Sequence, residues 1–267
     1  MANEHMAPDP LVRAMEVTYD RLFAGYAKSP TLRKIWRDAY GDDFPENVEP
    51  LSYVTLTDLR RIASALGVGP GATLVDLGSG SGGPSLWVAR ETGAQVVGID
   101  VSTVGVAQAN ARAQAEEVAD RVRFHVSDIA TLPMPVASVD AAMSVDMLVF
   151  VPDINAVMAE VARILRPGAR FAFTAREQHA ASATFGSPAR PDYRPALRAA
   201  GLVMETYEET PQWAERQLAL LRAIAAAEPQ LYAEMDAESA AEFMNWALGV
   251  PKQMATTRRV FGVARKP

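Results

Sequence analysis

Cysteine is absent from this chain of 267 residues. Its absence removes a disulfide framework, a thiolate nucleophile and a zinc–thiolate site together. Histidine is scarce, with three copies at His5, His125 and His179, so few side chains titrate near neutrality. No apolar run approaches the ~18 residues of a membrane-spanning helix, and no span is expected. Positive charge is in deficit: 26 Lys and Arg stand against 32 Asp and Glu, a formal net charge of −6. Such a balance argues against a grip on nucleic-acid backbone. No bound metal is expected. The opening stretch, MANEHMAPDP, lacks a basic segment followed by an apolar one, so the expectation is a cytoplasmic protein without a secretory signal. His5 and Met6 in that stretch are given no weight.

What is present is ordinary for a globular fold: 49% hydrophobic and 22% charged residues. The length suits one large α/β domain, alone or with an appended lid. No internal repeat or low-complexity tract interrupts it.

Leu11, Met15, Tyr19, Leu22 and Tyr26 fall on one helical face. Ser29-Pro30 breaks that pattern, and GDDFPENVEP (41–50) reads as a polar loop. Leu56, Leu59, Ile62, Ala63 and Leu66 give a second amphipathic helix, stopped by Gly67 and Gly69-Pro70-Gly71. From residue 72 the period changes. TLVDL is followed by a helix to 92, QVVGID by a helix over 103–117, then RVRFHV, VDAAMSV, a helix near 154–165, and RFAFTA. That alternation predicts a mostly parallel sheet with helices on both faces. Asp192 to Ala200 reads as one more helix, LVMETYEE as another strand and TTRRVFGVARK as the last. Between these two strands, 212–249 is helical: Trp213, Leu220, Leu221 and Ile224, an interruption at Glu228-Pro229, then Leu231, Met235, Phe243 and Trp246. A lid over a pocket and extra core helices both fit that insertion. The expected division is a helical segment over 1–70, a cofactor-binding core over 71–210, the insertion over 211–250 and a final core strand over 251–267.

The most specific stretch is TLVDLGSGSGGP (73–84). Gly78, Gly80 and Gly83 satisfy G-x-G-x-x-G between a strand and a helix, a pattern that alone suggests a dinucleotide. A pyrophosphate is anionic and wants bare amides, however, and Asp76 two residues ahead of the turn would repel it. A ligand with a cationic end and no phosphate suits Asp76 better. Asp100 ends QVVGID, where a carboxylate can accept from a ribose diol. Asp128 follows VRFHVS, where it can accept from an adenine amino group while Ile129 covers the ring.

In order, VDLGSGSGG, GIDVS, SDIATLPMP and LRPGARFAF resemble the motifs of class I S-adenosylmethionine-dependent methyltransferases. The likeness is greatest to the small-molecule branch of quinone-biosynthesis and natural-product enzymes, and it spans about residues 55–205. It implies a Rossmann-like seven-stranded sheet whose last strand runs antiparallel. It implies S-adenosylmethionine as cofactor, S-adenosylhomocysteine as product and a small-molecule acceptor as partner. By motif position, Asp76, Gly78, Ser79, Gly80 and Gly82 take the methionine end. Asp100 with Val101 takes the ribose, and Asp128 with Ile129 the adenine.

Transfer from a sulfonium is an in-line displacement, so positioning dominates and a base matters only for an acceptor that must lose a proton. His179, on a loop after RFAFTA, and Asp146, after VDAAMSV, are the catalytic candidates. An exposed loop histidine and a turn-capping aspartate are the alternatives. His125, inside RVRFHV, is expected to be a structural strand residue. Val149-Phe150 stands where many small-molecule relatives carry a histidine, which weakens a carried-over base and fits an apolar acceptor pocket. Tyr19, Tyr26 and Tyr53 are candidates to close over the cofactor. Met147, Phe150, Phe185, Trp213, Phe243 and Trp246 are candidates for the acceptor pocket, with core packing the alternative for each. EEVADRVR (116–123) reads as a solvated helix end. The expected activity is methyl transfer to oxygen, nitrogen or carbon of a small apolar or aromatic metabolite in secondary biosynthesis. A cyclase or rearrangement enzyme that binds the cofactor without transferring methyl remains the alternative. A nicotinamide-dependent reductase is disfavoured by Asp76, nothing speaks positively for a non-catalytic module, and a homo-oligomer stays open.

Overall fold

Asp9 opens the first helix, α1 (Pro10–Lys28), by accepting the Leu11 amide at 2.8 Å, and Pro10 sits where no amide is needed. The computed structural model describes residues 9–49, 51–182 and 186–267; His5, Met6 and Phe185 lie outside the described residues. Ser29 then serves two helices. Its amide donates to the Tyr26 carbonyl at the end of α1, and its hydroxyl accepts the Leu32 amide at 3.0 Å to start α2 (Pro30–Tyr40). The expected interruption at Ser29-Pro30 is therefore a joint between helices, because proline cannot continue α1 yet suits the first position of α2. Thr55 and Asp58 form a reciprocal capping box for α3 (Leu56–Leu66), which ends at Gly67 with φ +63°.

The alternating section comes next: β1 (Thr73–Leu77), α4 (Gly83–Thr92), β2 (Gln95–Asp100), α5 (Thr103–Ala115), β3 (Val122–Val126), β4 (Val139–Val145), α6 (Ile154–Ile164) and β5 (Leu165–Gln178). After it stand α7 (Arg194–Ala199), β6 (Val203–Glu209), the inserted helices α8 (Trp213–Ala226), α9 (Glu228–Glu234) and α10 (Ala237–Gly249), and β7 (Thr257–Arg265). The strands form one seven-stranded sheet in the order β3-β2-β1-β4-β5-β7-β6. β1 to β5 pair in parallel, and β7 runs antiparallel to both β5 and β6. Strands covered on both faces have no solvent side, which is why TLVDL and VDAAMSV read as near-continuous apolar runs. The edge strand β3 is the exception, and His125 on it is exposed.

One face packs Leu59, Leu86 and Val106 against Leu74 and Met143; the other packs Val157, Val161 and Leu197 against Val75 and Phe171. A third core joins α1 and α2 to the insertion, with Leu22 and Trp36 against Leu221, Phe243 and Trp246. The Trp36 and Trp246 rings lie 5.5 Å apart. Between β1 and β4 the strand order reverses, which opens a crevice at their carboxyl ends. No helix among the described residues is long and apolar enough to cross a membrane.

Candidate functional site

A cavity of about 800 Å³ occupies that crevice. Its floor is the loop after β1 (Gly78, Ser79, Gly80 and Ser81), the ends of β2 and β4, and the turn Ser127–Thr131. Its cover is α1, which contributes Val12, Met15, Tyr19 and Phe23. No described residue of 212–249 lines it; the insertion instead backs α1 from the far side.

The loop is shaped by its own amides. Gly78 and Ser79 both donate to the Ile99 carbonyl, at 2.8 and 3.1 Å, and Gly80 donates to Asp100 Oδ2 at 2.8 Å. Gly78 has φ +76°, and a Cβ there would overlap the Met147 side chain; a Cβ on Gly83 would overlap the Val48 carbonyl oxygen. Arg112 of α5 holds the loop from behind, donating to the carbonyls of Ser81 at 3.1 Å and Val48 at 3.2 Å. Asp100 is clamped on its other oxygen by the Ser102 amide at 2.8 Å. Burial pushes its carboxyl above the usual range, and the amides of Ser102 and Gly80 oppose that push.

Gly78, Ser79, Gly80, Asp100, Val101, Asp128 and Ile129 all lie on the cavity wall. Asp128 accepts the Ala130 amide at 2.9 Å, and no donor among the described residues meets its second oxygen. Asp76 and Gly82 depart from expectation. Asp76 lies under the loop, 1% exposed and off the wall, because its strand position turns inward. One oxygen accepts from Ser85 Oγ at 2.6 Å, the other is buried without a partner, and burial lifts the carboxyl to about 7. Gly82 is a packing residue: a Cβ there would come within 2.8 Å of Ala109 and Phe124.

Neither catalytic candidate stands as a free base on the wall. Val145 at the end of β4 pairs with Thr174, whereas β5 runs on to Gln178, paired with β7 and, at Gln178, with Arg190. That overrun carries His179 past the cavity to an exposed bend, off the wall. Asp146 does line the cavity, with φ +56°. Its oxygens, however, accept from Arg259 Nε at 2.7 Å, from a second Arg259 nitrogen at 3.1 Å and from the Tyr53 amide at 3.0 Å. Arg259, fully buried on β7, also donates to Asp58 at 2.8 Å. Burial works against its charge, yet the two carboxylates outweigh burial and hold its pKa above the usual guanidinium range. The sequence reading missed Arg259; its signal was a double arginine inside an otherwise apolar strand.

Of the acceptor candidates, Met147 and Phe150 line the cavity, Trp246 lines a small adjoining one, and Trp213 and Phe243 belong to the helical core. Among the tyrosines, Tyr19 meets the large cavity, Tyr53 the small one and Tyr26 neither. Among the described residues, every charged residue on the large cavity's wall is acidic: Asp9, Glu49, Asp100, Asp128, Asp146 and Asp153. Asp9 and Asp153 cap helices and Asp146 is paired, so the wall's free charge comes from the other three. An acidic wall suits a cationic ligand and repels a pyrophosphate.

A family described as "Methyltransferase domain" matches residues 75–173. The chain is 36% identical to Methyltransferase GfsG of Streptomyces halstedii over 48% of itself and 46% of that protein, so it spans under half of this relative. It is 31% identical to the 27-O-demethylrifamycin SV methyltransferase of Amycolatopsis mediterranei (strain S699), over 73% of itself and 78% of that enzyme. The chain belongs to the S-adenosylmethionine-dependent methyltransferases. Among solved structures, the [4+2]-cyclase SpnF matches this methyltransferase with TM-score 0.72 and 23% identity, over 97% of this chain and 98% of that one. A geranyl diphosphate C-methyltransferase from Streptomyces coelicolor A3(2) matches with TM-score 0.66 and 20% identity, over 98% and 100%. Both likenesses are likenesses of fold. S-adenosylmethionine is the methyltransferase's cofactor, and the residues present fit it: acids on the wall, and the orphaned oxygens of Asp76 and Ser79 buried at the loop.

Proposed function

We propose that this methyltransferase moves the methyl group of S-adenosylmethionine to an oxygen, nitrogen or carbon of a small apolar or aromatic metabolite in secondary biosynthesis. The observation that carries this is the make-up of one cavity wall. Acids and the glycine loop line it together with Met15, Leu51, Met147, Phe150, Val151 and Val157. Asp100 is assigned to the ribose hydroxyls, and Asp128 with Ile129 to the adenine. Gly78, Ser79 and Gly80 take the methionine end, with the charge of Asp76 acting from beneath the loop. The bound cofactor supplies a methyl group already activated on a sulfonium.

The protein's own work is then to orient an acceptor and to exclude water, through Tyr19, Phe23 and Met15 on the covering helix. No histidine among the described residues lines the wall, so proton removal falls to the acceptor's own acidity or to solvent. The natural-product relatives support a metabolite acceptor, since the rifamycin enzyme is named for one. The test is incubation with S-adenosylmethionine and a panel of hydroxylated polyketides, phenols and amines, measuring S-adenosylhomocysteine. One equivalent released per methylated product is expected, unchanged by His179→Ala. Cofactor binding without S-adenosylhomocysteine across the panel would favour the cyclase alternative.

A further inference from the structure

Beside the main cavity lies a smaller one of about 30 Å³, room for a water-sized group. The two share Tyr19, Leu51, Ser52, Asp146 and Phe150 as walls, so the small space is a pocket directly beside the large one. Its remaining walls include Arg176 of β5, which is 4% exposed. Among the described residues, Arg176 is the one cationic side chain that reaches either space.

The Arg176 guanidinium has two aromatic neighbours. It lies 5.4 Å from the Tyr53 ring centre and 5.6 Å from that of Phe150. No ion pair or hydrogen bond joins its side-chain nitrogens to any described residue. Asp146 borders the same pocket, but its oxygens are taken by Arg259 and the Tyr53 amide. The trio Asp58–Arg259–Asp146 carries one net negative charge, which helps a cation to sit nearby. That field leaves the five N–H donors of the guanidinium without an acceptor. Every other buried arginine of this region has found one: Arg259 has two carboxylates, and Arg190 donates to the Val151 carbonyl at 2.5 Å. A nearly buried cation with its donors unspent, beside two aromatic rings at the edge of a cavity, is preorganised for an anionic oxygen.

We infer that the acceptor carries an anionic oxygen, a carboxylate or an ionised phenol or enol, which the small pocket receives against Arg176. This rests on the methyltransferase reading and narrows its substrate class. The two charges then sort the two ligands between adjoining spaces. The acid wall takes the cationic cofactor, and Arg176 takes the anionic end of the acceptor. An ionised phenol or enol held there would also meet the cofactor without needing a protein base, whereas a carboxylate would serve as a handle remote from the methylated atom.

The experiment is calorimetric titration of the full chain, saturated with S-adenosylhomocysteine, with 2-naphthoate and with its neutral counterpart 2-naphthamide. 2-Naphthol titrated across its ionisation distinguishes a phenolate from a carboxylate. Wild type is expected to bind naphthoate about tenfold or more tightly than the amide. Arg176→Gln is expected to abolish that preference and Arg176→Lys to restore part of it, with S-adenosylhomocysteine affinity unchanged in both. Equal binding of acid and amide, binding of neither, or a preference that survives in Arg176→Gln overturns the inference. The acid–amide comparison in wild type stands even if a variant does not fold. Loss of S-adenosylhomocysteine binding by wild type would instead overturn the parent assignment.

Discussion

Asp76 shows how burial, rather than contact, sets a carboxylate's behaviour. Its pKa of about 7 arises first from burial, then against the Ser85 hydroxyl, with the Asp100 charge adding to the rise. In the unfolded chain the same group titrates near the usual carboxylate value, about 4. The folded state therefore holds an extra proton between those values, and stability must fall as pH rises from about 4 through 7. Asp76→Asn removes that dependence. Urea melts of the ligand-free protein should show the variant gaining on wild type across that window, at up to about 1.4 kcal/mol per pH unit. Parallel stability profiles would contradict it. Arg259 makes the opposite case. Arg259→Met leaves Asp58 and Asp146 buried without their cation and should cost about 3–5 kcal/mol in the same assay. A loss within about 1 kcal/mol would mean that the trio contributes little.

The helical elements divide their labour in a way their sequences do not announce. α1 covers the cavity directly, and the insertion supports α1 and α2 from behind. Ser29, fully buried, ties these parts together: it closes α1, caps α2 and hydrogen-bonds Glu234 of α9. Glu234 also accepts from Thr31 Oγ1 at 2.5 Å. Ser29→Ala should cost about 1–2 kcal/mol, since it removes a cap and leaves Glu234 short of a donor. Denaturant melts would read this directly. A cost of a few tenths would show that the joint is held by apolar packing alone. We further propose that the helices of 1–70 and 211–250 act as one cover on the core, which predicts joint protection in hydrogen exchange. Independent opening of α1 and α10 would contradict that.

At the scale of the whole molecule, the parallel strands were legible because both their faces are buried, which leaves unbroken apolar runs between glycine punctuation. The acids at the ends of β1, β2 and the turn after β3 were legible for a related reason: a charge directly after such a run stands out. Their depth was not. Whether Asp76 faces the ligand or the layer beneath depends on how its strand end packs, and spacing is silent on that. Arg259 pairs with Asp146 and Asp58 across 113 and 201 residues, a relation no local window contains. His179 lies off the wall because β5 outruns β4, and strand length past its partner is set by pairing with β7. The roof formed by α1 was open to inference only as a set of aromatics on a helical face, a pattern that core packing shares. The central claim, that the acid-walled cavity holds S-adenosylmethionine through Asp100, is tested most directly by calorimetry on wild type and Asp100→Ala. The account predicts one site for S-adenosylmethionine, none for NADH, and affinity weakened about tenfold or more by the substitution. NADH binding in place of S-adenosylmethionine, or an Asp100→Ala variant that binds as wild type does, would contradict it.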